Sequence, residues 1–177
     1  VVLKSVDTIV ISAYMGLDIL AIYQNYYFIL SSVSNMFEII LSSLTAGLGN
    51  SIVVETEQKN YRDLKVLSLM FTWLMGVATC CMLGMYQPFM KLWVGETLML
   101  PFSVVVLIVI YFILYQGRKV VITYKDAAGL WWEDRFRPFV MAATNLISNL
   151  IMVRFIGIWG IVLSTVLSLC VSVPWET

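Results

Sequence analysis

Residues 97–117 read TLMLPFSVVVLIVIYFILYQG, 21 consecutive residues without a charge. At about 1.5 Å per helical residue such a run covers the roughly 30 Å hydrocarbon core of a bilayer. A second uncharged run of 21 residues lies at 155–175, between Arg154 and Glu176. A soluble core helix has no need of that much apolar length on every face. Over the whole chain 60% of residues are hydrophobic and 12% charged, against about 25% charged in an average soluble domain. These values predict an all-α, polytopic membrane protein.

The same composition narrows the chemistry. Eleven basic residues balance 11 acidic ones, so no general attraction to nucleic acid is expected. There is no histidine, which removes the usual near-neutral proton switch and the commonest metal ligand. Cys80, Cys81 and Cys170 lie in apolar runs and read as small buried hydrophobes rather than a metal or disulfide set. No metal, no cofactor and no enzyme activity are expected. A membrane polymerase or ligase would want a large polar loop with a catalytic base, and no nucleophile–base pair or glycine-rich phosphate loop is present. No secretory signal pattern is read. The chain starts VVLKSVDTIV without Met and stops at PWET straight after a helix, so it reads as a piece of a longer protein.

Outward from 97–117, six helices are expected in a single bundle over 1–177, at about 1–15, 18–46, 60–83, 101–127, 138–155 and 158–173. Asp18 is the expected N-cap of the second, and the GLGN run at 47–50 its end. Pro101 and Pro138 suit first helical turns, and Gly157 separates the last two helices. The stretch 87–94, QPFMKLWV, carries Lys91 and Trp93 and reads as an interfacial segment. Alternating helix direction puts Lys59, Arg62, Lys65, Lys125, Arg135 and Arg137 on one side, and Lys91 and Arg154 on the other. The richer side is then cytoplasmic, which implies a multi-pass protein of the plasma membrane.

Polar residues fall on faces. In the second helix Gln24, Tyr27, Ser31, Ser34, Asn35, Glu38, Ser42 and Thr45 recur every three or four residues, which is one side of a helix. Serine and asparagine alone are ordinary interhelical hydrogen-bonding groups. Glu38 points further, because an ionisable group at membrane depth usually faces a cavity or a partner. In the first helix Lys4, Thr8 and Ser12 recur every four residues beside Asp7, and the simple reading is a local Lys4–Asp7 ion pair. The fifth helix carries Asn145, Ser148 and Asn149, and the sixth Ser164, Ser168 and Ser172, where packing against a neighbour is the simple account. In the fourth, Tyr111, Tyr115, Arg118, Ile122 and Lys125 share a side within about 60°, with Arg118 and Lys125 about 10 Å apart. Lys119 points elsewhere and is expected to snorkel towards headgroups. Snorkelling is open to Arg118 as well.

The stretches DTIVISAYMGLDILAIYQNYY, GNSIVVET, PFMKLWVGE, TYKDAAGLWWEDRFRPF and FIGIWGIVLSTVLS together resemble the carboxyl-terminal half of bacterial Wzx-type flippases. These belong to the multidrug/oligosaccharidyl-lipid/polysaccharide exporter superfamily. The resemblance implies a two-lobed transporter with about twice this number of helices, of which these six would be the second lobe. It implies transfer of undecaprenyl-pyrophosphate-linked oligosaccharide across the bacterial cytoplasmic membrane by alternating access, for capsule, exopolysaccharide or O-antigen synthesis. Its partners would be the lipid-linked oligosaccharide, the bilayer, the missing amino-terminal lobe and polysaccharide polymerase or assembly proteins. A cationic cavity for the pyrophosphate is typical of the family, and Arg118 and Lys125 are the residues expected to supply it here. Gln24, Tyr27, Ser31, Asn35, Glu38, Tyr111 and Tyr115 would line the wall. The alternative is an ion-coupled small-molecule exporter of the same superfamily, in which Asp7 and Glu38 are the coupling carboxylates.

Overall fold

Seven α-helices and no strand occur among the described residues, 2–130, 132 and 135–172 of the computed structural model. In chain order they are α1 (Val2–Tyr14), α2 (Leu17–Val54), α3 (Glu57–Val94), α4 (Phe102–Gly117), α5 (Lys119–Ala127), α6 (Arg137–Ile156) and α7 (Ile158–Ser172). Four stretches are long and apolar enough to cross a membrane: Leu17–Val54, Glu57–Val94, Phe102–Ala127 and Arg137–Ile156. With 13 and 15 residues, α1 and α7 fall short of that length, so six full spans are not seen. The expected end of the last helix at residue 173 lies outside the described residues.

The largest departure from the sequence reading is helix length. Both α2 and α3 run for 38 residues. Gly47 and Gly49 were expected to stop α2, but glycine inside a helix costs only about 1 kcal/mol. The segment ends instead at Glu55, which turns extended (φ −100°, ψ 166°). Thr56 then caps α3 by accepting from the Lys59 N–H at 3.4 Å. Ser51 donates to the Asn60 side chain at 2.8 Å, and Asn60 returns a bond to the Ser51 carbonyl at 3.2 Å, which ties the hairpin shut. The 87–94 stretch is not a separate interfacial element. It forms the last two turns of α3, which passes through Pro88 and stops at Gly95 (φ 87°).

The expected single helix over 101–127 is interrupted at Arg118, between α4 and α5. Gly16 rather than Asp18 occupies the N-cap of α2 (φ 90°, ψ 170°), and Asp18 sits in the first turn, where a carboxylate favours the helix dipole.

Packing follows the ring α1–α2–α3–α4–α7–α6, which closes on α1, with α5 laid against α2 and α3. One continuous core results. Tyr26, Phe37, Phe71 and Phe112 sit in it, Phe37 meeting Phe71 and Phe112 edge-on at 5.2 and 5.6 Å. α6 and α7 approach closely. A Cβ on Gly160 would stand 2.6 Å from the Met152 carbonyl oxygen, so only glycine fits there. The outer surface is apolar, as at Trp73, Leu92 and Phe155. Cys80, Cys81 and Cys170 are exposed rather than buried, since a lipid-facing surface is as apolar as a core.

Candidate functional site

A polar cleft opens in the bundle among the described residues. It has a volume of about 400 Å³ and is walled by α2 through Tyr27, Leu30, Ser31, Ser34, Asn35 and Glu38. Lys4 of α1, Tyr111 and Tyr115 of α4, and Pro138 and Met141 of α6 complete it. The α2 contribution repeats every three or four residues, so one helix face supplies a whole wall. Ser31 donates to its own helix at the Phe28 carbonyl (3.0 Å), which leaves its oxygen as an acceptor towards the cleft. Ser42 and Thr45, further along the same stripe, likewise donate to the Ile39 and Leu41 carbonyls.

Gln24, expected on the same wall, is not part of it. Its amide donates to Thr8 at 3.0 Å, and Thr8 donates to the Lys4 carbonyl at 2.9 Å, so Gln24 staples α2 to α1.

The charges are arranged differently from the sequence expectation. Lys119 does not turn to the headgroups: its Nζ lies 2.7 Å from Glu38 Oε1. The Tyr115 hydroxyl donates to the same oxygen at 3.1 Å, and the Lys119 ammonium lies over the Tyr115 ring, 4.6 Å from its centroid. Tyr115 in turn stacks on Tyr111 at 5.7 Å. Lys4 lies over the Tyr27 ring at 4.5 Å rather than pairing with Asp7. Arg118, at the helix break, sends Nη1 to the Leu169 carbonyl in the last turn of α7 (3.1 Å). Neither Arg118 nor Lys125 lines the cleft, and both are half-buried. The break explains the exchange, because a face calculated for one unbroken helix does not carry through an interruption at the very residue concerned.

Asp7 belongs to a separate polar cluster between α1, α6 and α7. It is 1% exposed. Asn149 donates to its Oδ1 at 2.7 Å, Asn145 at 3.4 Å, and Thr165 to its Oδ2 at 3.1 Å. Asn149 also donates to Asn145 at 3.2 Å and accepts from Ser164. All of these donors are neutral. The faces read for Asn145, Asn149 and Ser164 do meet, and Thr165, one residue off the four-residue serine spacing, joins them without a sequence signal of its own.

A small cavity of about 20 Å³ lies between the cleft and this cluster, about the space one water needs. It shares Tyr27, Leu30 and Tyr111 with the cleft and Thr165 with the Asp7 cluster, and Tyr23, Ile108 and Val162 complete a mostly apolar lining. Tyr23 was also missed. Its signal was the i, i+4 repeat with Tyr27 in IYQNYYF.

No protein-family model, curated protein or solved structure matches this chain.

Proposed function

We propose that the chain is the second lobe of a transporter that carries a lipid-linked oligosaccharide, joined through undecaprenyl pyrophosphate, across the bacterial cytoplasmic membrane by alternating access. The observation that supports this reading most is the cleft itself. Hydroxyls, an amide, three tyrosines and charged groups gather on the inside of a bundle whose outer surface is oil. An amphipathic cargo needs that division, with a wet wall for sugar and phosphate beside an apolar flank for the lipid chain. Tyrosine faces suit sugar rings, and Ser34 and Asn35 offer hydrogen bonds to hydroxyls. The cations suited to the pyrophosphate are Lys4, which lines the cleft, and Lys119, which stands behind its Glu38 wall at 2.7 Å, ahead of Arg118 and Lys125. The first lobe of the same protein would close the other side, and polysaccharide polymerase or assembly proteins would take the product. The role is non-enzymatic.

A second reading, an ion-coupled exporter of small molecules, draws on Asp7. A carboxylate buried among neutral donors is suited to exchanging a proton or a small cation, and its partner Thr165 also borders the small cavity beside the cleft. Ion coupling at Asp7 is compatible with either cargo.

The test is complementation. The intact protein is expressed in cells whose own oligosaccharide-lipid flippase has been removed, and surface polysaccharide is measured. Restored polysaccharide supports the flippase. Resistance to cationic drugs without restored polysaccharide selects the second reading.

A further inference from the structure

We propose that Glu38 is a resident counter-anion on Lys119, displaced when a phosphate-bearing ligand enters the cleft. This rests on the flippase reading for the identity of the cargo and adds to it the element that takes the phosphate charge.

The geometry is that of an exchangeable pair rather than a buried staple. Glu38 lines the cleft, and its side chain is 43% exposed against 23% for Lys119. Solvent therefore reaches the carboxylate, and the bond competes with water and with any incoming anion. Both donors, the Lys119 ammonium and the Tyr115 hydroxyl, converge on the one oxygen Oε1. The ammonium has a second hold in the Tyr115 ring face, 4.6 Å away. If the carboxylate swings aside, the ring keeps the cation in place. A pyrophosphate, with more charge and more acceptor oxygens than a carboxylate, forms stronger charge-assisted bonds to the same ammonium.

The rest of the cleft fits the same ligand. Lys4 lines the cleft from α1 and is held over the Tyr27 ring at 4.5 Å, so one ring-seated ammonium faces the cleft and a second, Lys119, stands behind Glu38 and Tyr115 in its wall. Two ammoniums against one carboxylate leave a surplus of one positive charge beside the empty cleft, which attracts an incoming anion. The pair thus holds the uncompensated charge of the empty cleft to one at membrane depth, where such a charge is costly.

The experiment is calorimetric titration of the purified protein in lipid nanodiscs with inorganic pyrophosphate, with farnesyl pyrophosphate, and with farnesol as the uncharged control. Glu38→Gln should bind a pyrophosphate probe about fivefold tighter than wild type, the amount that release from a partly exposed ion pair allows. Lys119→Gln should weaken binding, and in the Glu38→Gln background it should cancel the gain. Lys119→Arg should keep binding and serves, with melting curves, as the control for folding. A gain with both probes means that the site reads phosphate itself. A gain with farnesyl pyrophosphate alone means that it reads a lipid-borne phosphate. Either supports the exchange. Equal affinity of wild type and Glu38→Gln, or a gain that survives Lys119→Gln, overturns it. If the exchange holds but complementation fails, the flippase reading falls and the anion site stands. If complementation succeeds without the exchange, the reverse is true.

Discussion

Arg118 and Asp7 are the two residues whose structural surroundings most change what their substitution should do. Arg118 binds a carbonyl at the end of α7, where a cation also complements the helix dipole. Its replacement by Ala should therefore lower thermal stability by about 1.5–3 kcal/mol, the usual worth of a hydrogen bond to a charged group. Melting in detergent measures this, and it must be compared with export before any loss of transport is assigned to cargo binding. An unchanged melting temperature would return Arg118 to the list of cargo ligands. Asp7 faces neutral donors from α6 and α7. Asp7→Asn keeps the shape and can still accept from Asn149, so the fold should survive while any dependence of transport on pH or sodium is lost. Asp7→Leu strands an Asn149 N–H, while the Thr165 hydroxyl keeps the Ile161 carbonyl at 2.9 Å, and should cost about 1–3 kcal/mol. Transport by Asp7→Asn with unaltered ion dependence would remove Asp7 from coupling. At this scale the sequence was partly legible. The polar stripe of Tyr27, Ser31, Asn35 and Glu38 could be read because a continuous helix fixes its phase. The partner of Glu38 could not, because Lys119 reaches it only from beyond an interruption that no proline announces.

Among the elements, the helices that hydrophobic runs define were legible to within a few residues, and the proline starts at Pro101 and Pro138 could be read from sequence. The ends of α2 and α3 were not, since glycine is a weak breaker and Pro88 is tolerated near the end of a helix. Pro88 removes the N–H that would bond to the Gly84 carbonyl. Substitution by Ala restores that donor and should raise thermal stability; a lowered melting temperature would show that α3 needs the proline. The α6–α7 hairpin gives the opposite expectation. Gly160→Ala places a methyl 2.6 Å from the Met152 carbonyl oxygen, backbone that cannot rotate away. The two helices must part, at a cost of about 1–3 kcal/mol. Melting curves check the cost, and wild-type stability in Gly160→Ala would mean that the helices separate freely. Glycine spacing alone did not reveal this contact, because Gly157 and Gly160 look alike in sequence and only one of them is pressed on a neighbour.

At the scale of the whole molecule, the positive charges around the α2–α3 hairpin and the start of α6 predict a cytoplasmic face. Cysteine labelling at positions 55–60 and 129–135 should succeed only from the cytoplasmic side; labelling from outside would invert the topology. The length of the first two long helices has a further consequence. Thirty-eight residues make a rod of about 57 Å, while the hydrocarbon core is roughly 30 Å thick. Even at the steep limit of observed tilts, about 40°, such a rod still rises about 44 Å along the membrane normal. The hairpin at Glu55–Asn60, charged and closed by its own hydrogen bonds, therefore belongs above the lipid as a rigid mast. The carboxyl end of α5 lies against it, with Ala127 beside Gly49. Tilting the rod by 10° moves its tip by about 10 Å, and α5 carries Lys119 at its other end. The nine residues of α5 thus join the mast, at Gly49 and Ala127, to the Lys119–Glu38 pair at the wall of the cleft.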